Sequence, residues 1–171
     1  YLSLDGGPLV EFDDGSVEVL EMPTKEHQRI TQFLYRWLHA YVLSRKLGET
    51  FIAPLPVRLW QGKFREPDVF FVRSDRREHL GYPDGADLVI EVVSLDRESR
   101  RRDTVAPRSE YARAGIAEKW KVDTGRGENE ELVLGEDRES YQSHGQFVSG
   151  QTASSGTLTG LAIAVDDVLA S

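Results

Sequence analysis

The 171-residue sequence contains no cysteine and no apolar run as long as a membrane span. The lack of cysteine excludes a disulfide framework, a thiol nucleophile and a cysteine-ligated zinc site. A membrane helix needs about 20 successive apolar residues, and neither such a segment nor a secretory signal is visible. We therefore expect a soluble cytoplasmic protein that does not contact a membrane.

Positive charge is also scarce. The sequence has 21 Lys and Arg residues against 29 Asp and Glu residues, for a formal net charge of −8. This balance argues against avid, unspecific binding of nucleic acid through net charge, although a local basic patch could still contact phosphate. With 39% hydrophobic residues, a chain of this length can bury one sizeable core, so we expect a single domain over residues 1–171.

Local catalytic motifs are missing as well. There is no phosphate-binding glycine loop, no nucleophile elbow and no HExxH pattern, and these are the motifs that a short stretch of sequence can reveal. The four histidines show no metal-ligand spacing. A Ser-His-Asp triad stays open, because its members are distant in sequence, but no local pattern indicates one.

Two short apolar segments contain acidic residues instead. In the first, Asp68 follows Pro67 and opens the run 68–72; in the second, Glu91 lies inside the run 87–94. The β-branched and aromatic residues of both runs predict strands. A buried carboxylate is costly unless it is paired or neutralised by a metal, and two on neighbouring strands are typical of a divalent metal site. Structural alternatives stay open: Glu91 could face solvent on a half-covered sheet, and Asp68 could serve a turn after Pro67.

A long amphipathic helix precedes these strands. Thr24 is a suitable N-cap, and apolar residues then recur at steps of three and four along a helix that we expect to end near Gly48. Glu26 lies at the start of the apolar stripe; it either complements the positive helix N-terminus, which we prefer, or adds an acid near a metal. We expect His27 to be a hydrogen-bonded histidine at the edge of that stripe.

A densely charged segment and a second helix follow the acidic strands. Such a segment is usually a solvated loop, but beside a metal site its arginines could hold a phosphate backbone. The helix is predicted over 107–114, with Pro107 in its first turn and Gly115 at its end. The arginines that we expect to contact nucleic acid are Arg97, Arg100, Arg101, Arg102 and Arg108.

The remaining segments predict mostly strands. Residues 9–12 and 17–20 form a predicted hairpin, and residues 116–123 alternate as a strand with one buried face. Further strands are expected at 131–134, 141–142 and 146–148, before a short helix at 165–169.

Several of these segments together resemble the Uma-two family of restriction-endonuclease-like bacterial proteins. The resemblance covers nearly the whole chain, and the joint occurrence of its motifs is more specific than any one of them. The segments are Met22-Pro23-Thr24, Glu26-His27-Gln28, Arg65-Glu66-Pro67-Asp68-Val69, Gly85-Ala86-Asp87-Leu88-Val89-Ile90-Glu91-Val92-Val93-Ser94 and Glu110-Tyr111-Ala112-Arg113-Ala114-Gly115-Ile116 with Trp120, Val122 and Asp123.

The resemblance implies an α/β (α+β) restriction-endonuclease-like fold of the PD-(D/E)XK superfamily, with a central mixed β-sheet flanked by helices. It implies that Asp68 and Glu91 ligate Mg²⁺ or Mn²⁺ and that Glu26 matches an acid that sometimes completes the metal shell. The implied activity is that of a metal-dependent endonuclease that hydrolyses DNA phosphodiester bonds. A symmetric homodimer is one arrangement that would cut both strands.

The chain departs from the family where a lysine is expected. The superfamily position two residues after the strand glutamate is Val93, and the family's alternative position on the following helix is Pro107. Arg108 points about 100° round the helix from that position, and Arg101 or Arg102 could reach in from the loop. An aromatic pair of the family is also altered, because Lys119 precedes Trp120. The alternative function is therefore a catalytically inactive nuclease-fold module that binds nucleic acid or a protein partner.

Overall fold

The computed structural model describes residues 10–13, 16–19, 23–76, 81–93 and 106–171. Its helices are α1 (Lys25–Arg45), α2 (Ala106–Arg113) and α3 (Val165–Leu169). Its strands are β1 (Val10–Asp13), β2 (Ser16–Val19), β3 (Gly48–Ile52), β4 (Val57–Trp60), β5 (Lys63–Arg65), β6 (Val69–Arg73), β7 (Leu88–Val93), β8 (Glu118–Asp123), β9 (Glu128–Leu134), β10 (Tyr141–Val148), β11 (Thr152–Ser154) and β12 (Ala162–Ala164).

A six-stranded sheet is the centre of the molecule. Its strand order is β10-β9-β8-β7-β6-β3, and β7 and β8 run parallel while the other neighbours are antiparallel. A four-stranded sheet, in the order β2-β1-β5-β4, and the pair β11-β12 accompany it. The predicted mixed sheet flanked by helices is thus confirmed.

One face of the central sheet packs against α1. The Thr24 hydroxyl accepts a hydrogen bond from the His27 amide at 3.1 Å, which starts the helix as predicted. Ile30, Leu34 and Leu38 are buried along the helix and share a hydrophobic cluster with β6, β7, β8 and α3. Burial of this apolar stripe fixes the helix across the sheet.

Helix α1 ends at Arg45, three residues before Gly48. Lys46 takes the left-handed conformation, with φ of 55°, and its amide donates to carbonyls of the last turn. Gly48 begins β3 instead, where its Cα passes so close to the Val72 carbonyl that a Cβ atom would collide with it. Glycine is therefore needed here for a close backbone approach and not as the helix end.

The opposite face of the sheet packs against α2. Tyr111, Ala112 and Ile116 are buried there against residues of β6, β7 and β9. Because both faces are covered, every residue of β7 is buried, which explains why the sequence of this strand does not alternate.

Other predicted elements are also found, with shifted limits. The predicted strands at 141–142 and 146–148 form one strand, β10, which has a register shift between Ser143 and Gly145. Helix α2 already includes Ala106, although a residue before proline is biased against helix; Pro107 then lies in the first turn, where its missing N–H costs little. Across the described ranges, no helix has both the length and the apolar character needed to span a membrane.

Candidate active site

Strand pairing brings Asp68 and Glu91 side by side. Strand β6 pairs with β7 so that Val69 is opposite Ile90, and one further step along this antiparallel register places Asp68 opposite Glu91. Asp68 is 8% exposed and Glu91 is 5% exposed. The structural alternative for Glu91, a side chain facing solvent, is therefore wrong.

Asp68 is fixed between the sheet and α1. Its Oδ2 atom accepts a hydrogen bond of 2.8 Å from the Val92 amide, and its Oδ1 atom lies 3.2 Å from Nε2 of His27. His27 is itself buried, and its Nδ1 atom lies 3.4 Å from the Thr31 hydroxyl. These contacts hold the Asp68 carboxylate at the start of its strand with one orientation.

Glu91 points towards α2. The Tyr111 hydroxyl donates a hydrogen bond of 2.7 Å to its Oε1 atom, and Tyr111 is only 1% exposed. Nζ of Lys119 lies 4.9 Å from the centroid of the same tyrosine ring. The face of β7 that bears Glu91 is thus the face covered by Tyr111 and Lys119.

A buried ion cluster holds α2 in this position. Glu110, the residue before Tyr111, is bound by Lys63 at 2.7 Å and by Nη2 of Arg65 at 2.8 Å, and Nε of Arg65 donates to it at 2.9 Å. The Lys63 and Arg65 side chains are 1% and 5% exposed. Such charge-assisted bonds are short and directional, so they fix the register of α2 against β5.

A second group of acids lies on the α1 side of the sheet, away from this site. Glu118 accepts hydrogen bonds from Trp120, Ser155 and Thr157. Glu131 is fully buried, and within the described part of the chain neither of its carboxylate oxygens has a hydrogen-bond partner. Burial, together with the nearby Glu118 carboxylate, raises the pKa of Glu131 from 4.5 to about 8.

The structure brings only two of the three predicted acidic site residues together. It brings Asp68 and Glu91 together, but Glu26 is exposed in the first turn of α1, and it is His27 that contacts Asp68. The difference follows from helix geometry, because adjacent residues point about 100° apart. The role of Glu26 stays a prediction.

The predicted phosphate-binding arginines lie outside the described residues. This applies to the whole of Arg97, Arg100, Arg101 and Arg102, and to the side chain of Arg108, whose backbone belongs to α2.

Sequence reasoning did not identify Tyr111 and Lys121 as site residues. Lys121 of β8 is opposite Glu91 of β7 in the parallel register. The alternation of residues 116–123 placed Lys121 on the more polar face of its strand, but nothing local indicated which strand would be its neighbour.

The carboxylate pair fits a hard divalent cation in its donor chemistry. Mg²⁺ is usually bound by one or two carboxylates, with water and substrate phosphate completing its shell. Asp68 and Glu91 would supply two carboxylates, and the Val92 amide and Tyr111 hydroxyl orient them as outer-shell partners do. No cluster of three or more His, Asp or Glu side chains that could hold a metal occurs among the described residues, so substrate and water would have to supply the other ligands.

A family comparison identifies the chain. The model of the Uma2 family, described as "putative restriction endonuclease", matches residues 1–166. The chain belongs to the Uma2 family. No curated protein sequence matches it.

A solved structure has the same fold as this Uma2 protein. It is the crystal structure of a putative nuclease belonging to DUF820 from Anabaena variabilis, with a TM-score of 0.76. The match covers 95% of this chain and 90% of the other at 16% sequence identity. At that identity the match establishes the nuclease-like fold and not the chemistry.

Proposed function

We propose that this Uma2 protein is a metal-dependent endonuclease that hydrolyses phosphodiester bonds of DNA. The observation on which the proposal rests is the buried Asp68–Glu91 pair on neighbouring strands, in a chain whose family is described as putative restriction endonucleases. Two adjacent buried carboxylates have little structural benefit by themselves, because burial of like charges is costly. A cation that binds between them with the substrate would offset this cost.

In the proposed reaction, a water oxygen forms a bond to phosphorus, the bond from phosphorus to the leaving sugar oxygen breaks, and the proton lost by water balances the one gained by the leaving oxygen. Mg²⁺ or Mn²⁺, when bound, would supply an acidified water and neutralise charge on the phosphate. Asp68 and Glu91 would hold this ion, while His27 and Tyr111 keep the two carboxylates in place. The arginines at 97–102 and Arg108 remain the proposed contacts to the DNA backbone.

The test is a plasmid-nicking assay with Mg²⁺ or Mn²⁺ that compares the wild type with Glu91→Gln. The amide keeps the size of the side chain and an acceptor for Tyr111 but removes the charge that a metal requires. We expect nicking to fall by at least about 100-fold, the loss that follows removal of one strong electrostatic contact to a transition state. A chelator should abolish wild-type nicking.

Glu136→Gln is the matched control, because Glu136 is exposed in a turn; it should cut like the wild type. Equal nicking by Glu91→Gln and the wild type would refute the proposal. If the wild type binds Mn²⁺ and DNA but never cuts, the protein is the non-catalytic binding module instead, an alternative favoured by Val93 and Pro107 at the two expected lysine positions. Cleavage of both strands would further predict a symmetric homodimer, which sedimentation can measure.

A further inference from the structure

Lys121 lies on the same face of the sheet as Glu91. Strands β7 and β8 run parallel with Glu91 directly opposite Lys121, and paired residues of neighbouring strands project to the same side. The contacts of Lys119, two residues earlier on β8, agree with this: its Nζ atom lies over the ring of Tyr111, whose hydroxyl binds Glu91. Glu91 and Lys121 therefore lie side by side on one face of the sheet, and Asp68, which directly precedes β6, lies one step beyond the Val69–Ile90 pair.

The lysine can reach the carboxylate pair and also contacts solvent. Adjacent strands are about 4.8 Å apart, which is less than the length of an extended lysine side chain. The Lys121 side chain is 29% exposed, and its Nζ atom lies 3.5 Å from Oδ2 of the buried Asp123. Its flexible four-carbon stem lets the ammonium group move between Asp123 and a phosphate placed beside Glu91.

Three other cations of the described residues on this side of the sheet make structural contacts. Lys63 and Arg65 are buried against Glu110, and Lys119 lies against the ring of Tyr111. On β7 itself, the residue two positions after Glu91 is Val93, which has no charge. Hydrolysis of a phosphodiester places additional negative charge on the phosphate oxygens, and a nearby ammonium group stabilises it.

We propose that Lys121 contacts the scissile phosphate beside the Asp68–Glu91 pair and stabilises the charge that develops there. The lysine thus comes from the neighbouring parallel strand, at the position level with the glutamate, and not from the glutamate's own strand or from α2. This inference rests on the proposed nuclease function and adds a catalytic residue to it.

The experiment compares the wild type with Lys121→Gln and Lys121→Arg by two measurements. The first is the single-turnover rate of cleavage of a short duplex with Mg²⁺. The second is the salt dependence of duplex binding with Ca²⁺ in place of Mg²⁺. Lys46→Gln is the control, because Lys46 is exposed at the end of α1 opposite to His27.

We expect Lys121→Gln to cut about 100-fold more slowly. The slope of log Kd against log salt should decrease by about 0.9, the change for one lost phosphate contact. Lys121→Arg should keep the salt slope and recover part of the rate, since it keeps the charge. A merely structural lysine would not change the salt slope.

The outcomes separate this inference from the function on which it rests. If Lys121→Gln keeps both the rate and the salt slope while Glu91→Gln is inactive, the nuclease function stands and the role of Lys121 is refuted. If the wild type does not cut, the nuclease function is refuted. In that case, an unchanged salt slope in Lys121→Gln also refutes the phosphate contact, whereas a decreased slope supports it.

Discussion

The Glu131 carboxyl group makes the stability of the protein depend on pH. In the unfolded chain it loses its proton near pH 4.5, whereas in the folded chain burial and the neighbouring Glu118 raise its pKa to about 8. Between these two pH values the folded state keeps a proton that the unfolded state has released. The contribution of this group to the free energy of unfolding therefore has its full value below pH 4.5. It decreases by at most about 1.4 kcal/mol per pH unit as the pH rises from 4.5, and it is constant above pH 8.

Glu131→Gln, which imitates the protonated acid, should remove this dependence. We expect the free energy of unfolding, measured in urea at pH 5, 6, 7 and 8, to be higher for the variant than for the wild type. The difference should increase with pH. Glu136→Gln, an exposed substitution, should follow the wild-type profile. A constant difference between Glu131→Gln and the wild type would contradict the raised pKa.

Helix α2 depends on the Glu110 ion cluster for its position. Glu110→Gln keeps the shape of the side chain but leaves the buried Lys63 and Arg65 without the charge that binds both. Loss of one member of a buried ion cluster typically costs about 3 kcal/mol, so we expect a decrease of that size in the free energy of unfolding in urea. Exposed Glu139→Gln should change it by less than about 0.5 kcal/mol.

The same substitution tests whether α2 orients the site. If Glu110 fixes the register of the helix, its loss should loosen the Tyr111–Glu91 hydrogen bond and weaken Mn²⁺ binding by about 10-fold, the size of an outer-shell effect. Unchanged stability in Glu110→Gln would mean that apolar packing alone holds α2.

Helices and strands of this protein could be predicted where their signals are local. Thr24 and the spacing of apolar residues predicted α1, and the β-branched runs predicted β6 and β7. The helix was expected to end near Gly48 and ends at Arg45, but the sequence does not show that another strand's carbonyl passes close to Gly48. Local patterns identify an element better than they identify its last residue.

The candidate site could be predicted only in part. Asp68 and Glu91 were recognisable because acids interrupt apolar runs. Lys121 was not recognisable from the sequence, because its position beside Glu91 depends on a parallel pairing between segments 30 residues apart. A strand was predicted at 131–134, but the burial of Glu131 was not, because it depends in the same way on how β9 is covered.

The central sheet separates two hydrophobic cores and contributes residues to both of them. Leu34 belongs to the cluster between the sheet and α1, and Ile116 belongs to the cluster between the sheet and α2; both are 0% exposed. Strands β6 and β7 contribute residues to both clusters, such as Phe71 and Phe70 on successive positions. Damage to either core must therefore loosen the strands on which the other core rests.

Because both hydrophobic cores pack against the same central sheet, we predict that the chain unfolds as one unit. Leu34→Ala and Ile116→Ala should each lower the free energy of unfolding by about 3 kcal/mol, within the range for large-to-small changes in a core. In each variant, urea curves followed by tryptophan fluorescence and by far-ultraviolet circular dichroism should coincide, as expected for a two-state domain. Leu43→Ala should have little effect, because Leu43 is 64% exposed. The curves coincide only if neither core survives the loss of the other. Separate transitions for the two probes would instead show that the α1 and α2 sides unfold independently.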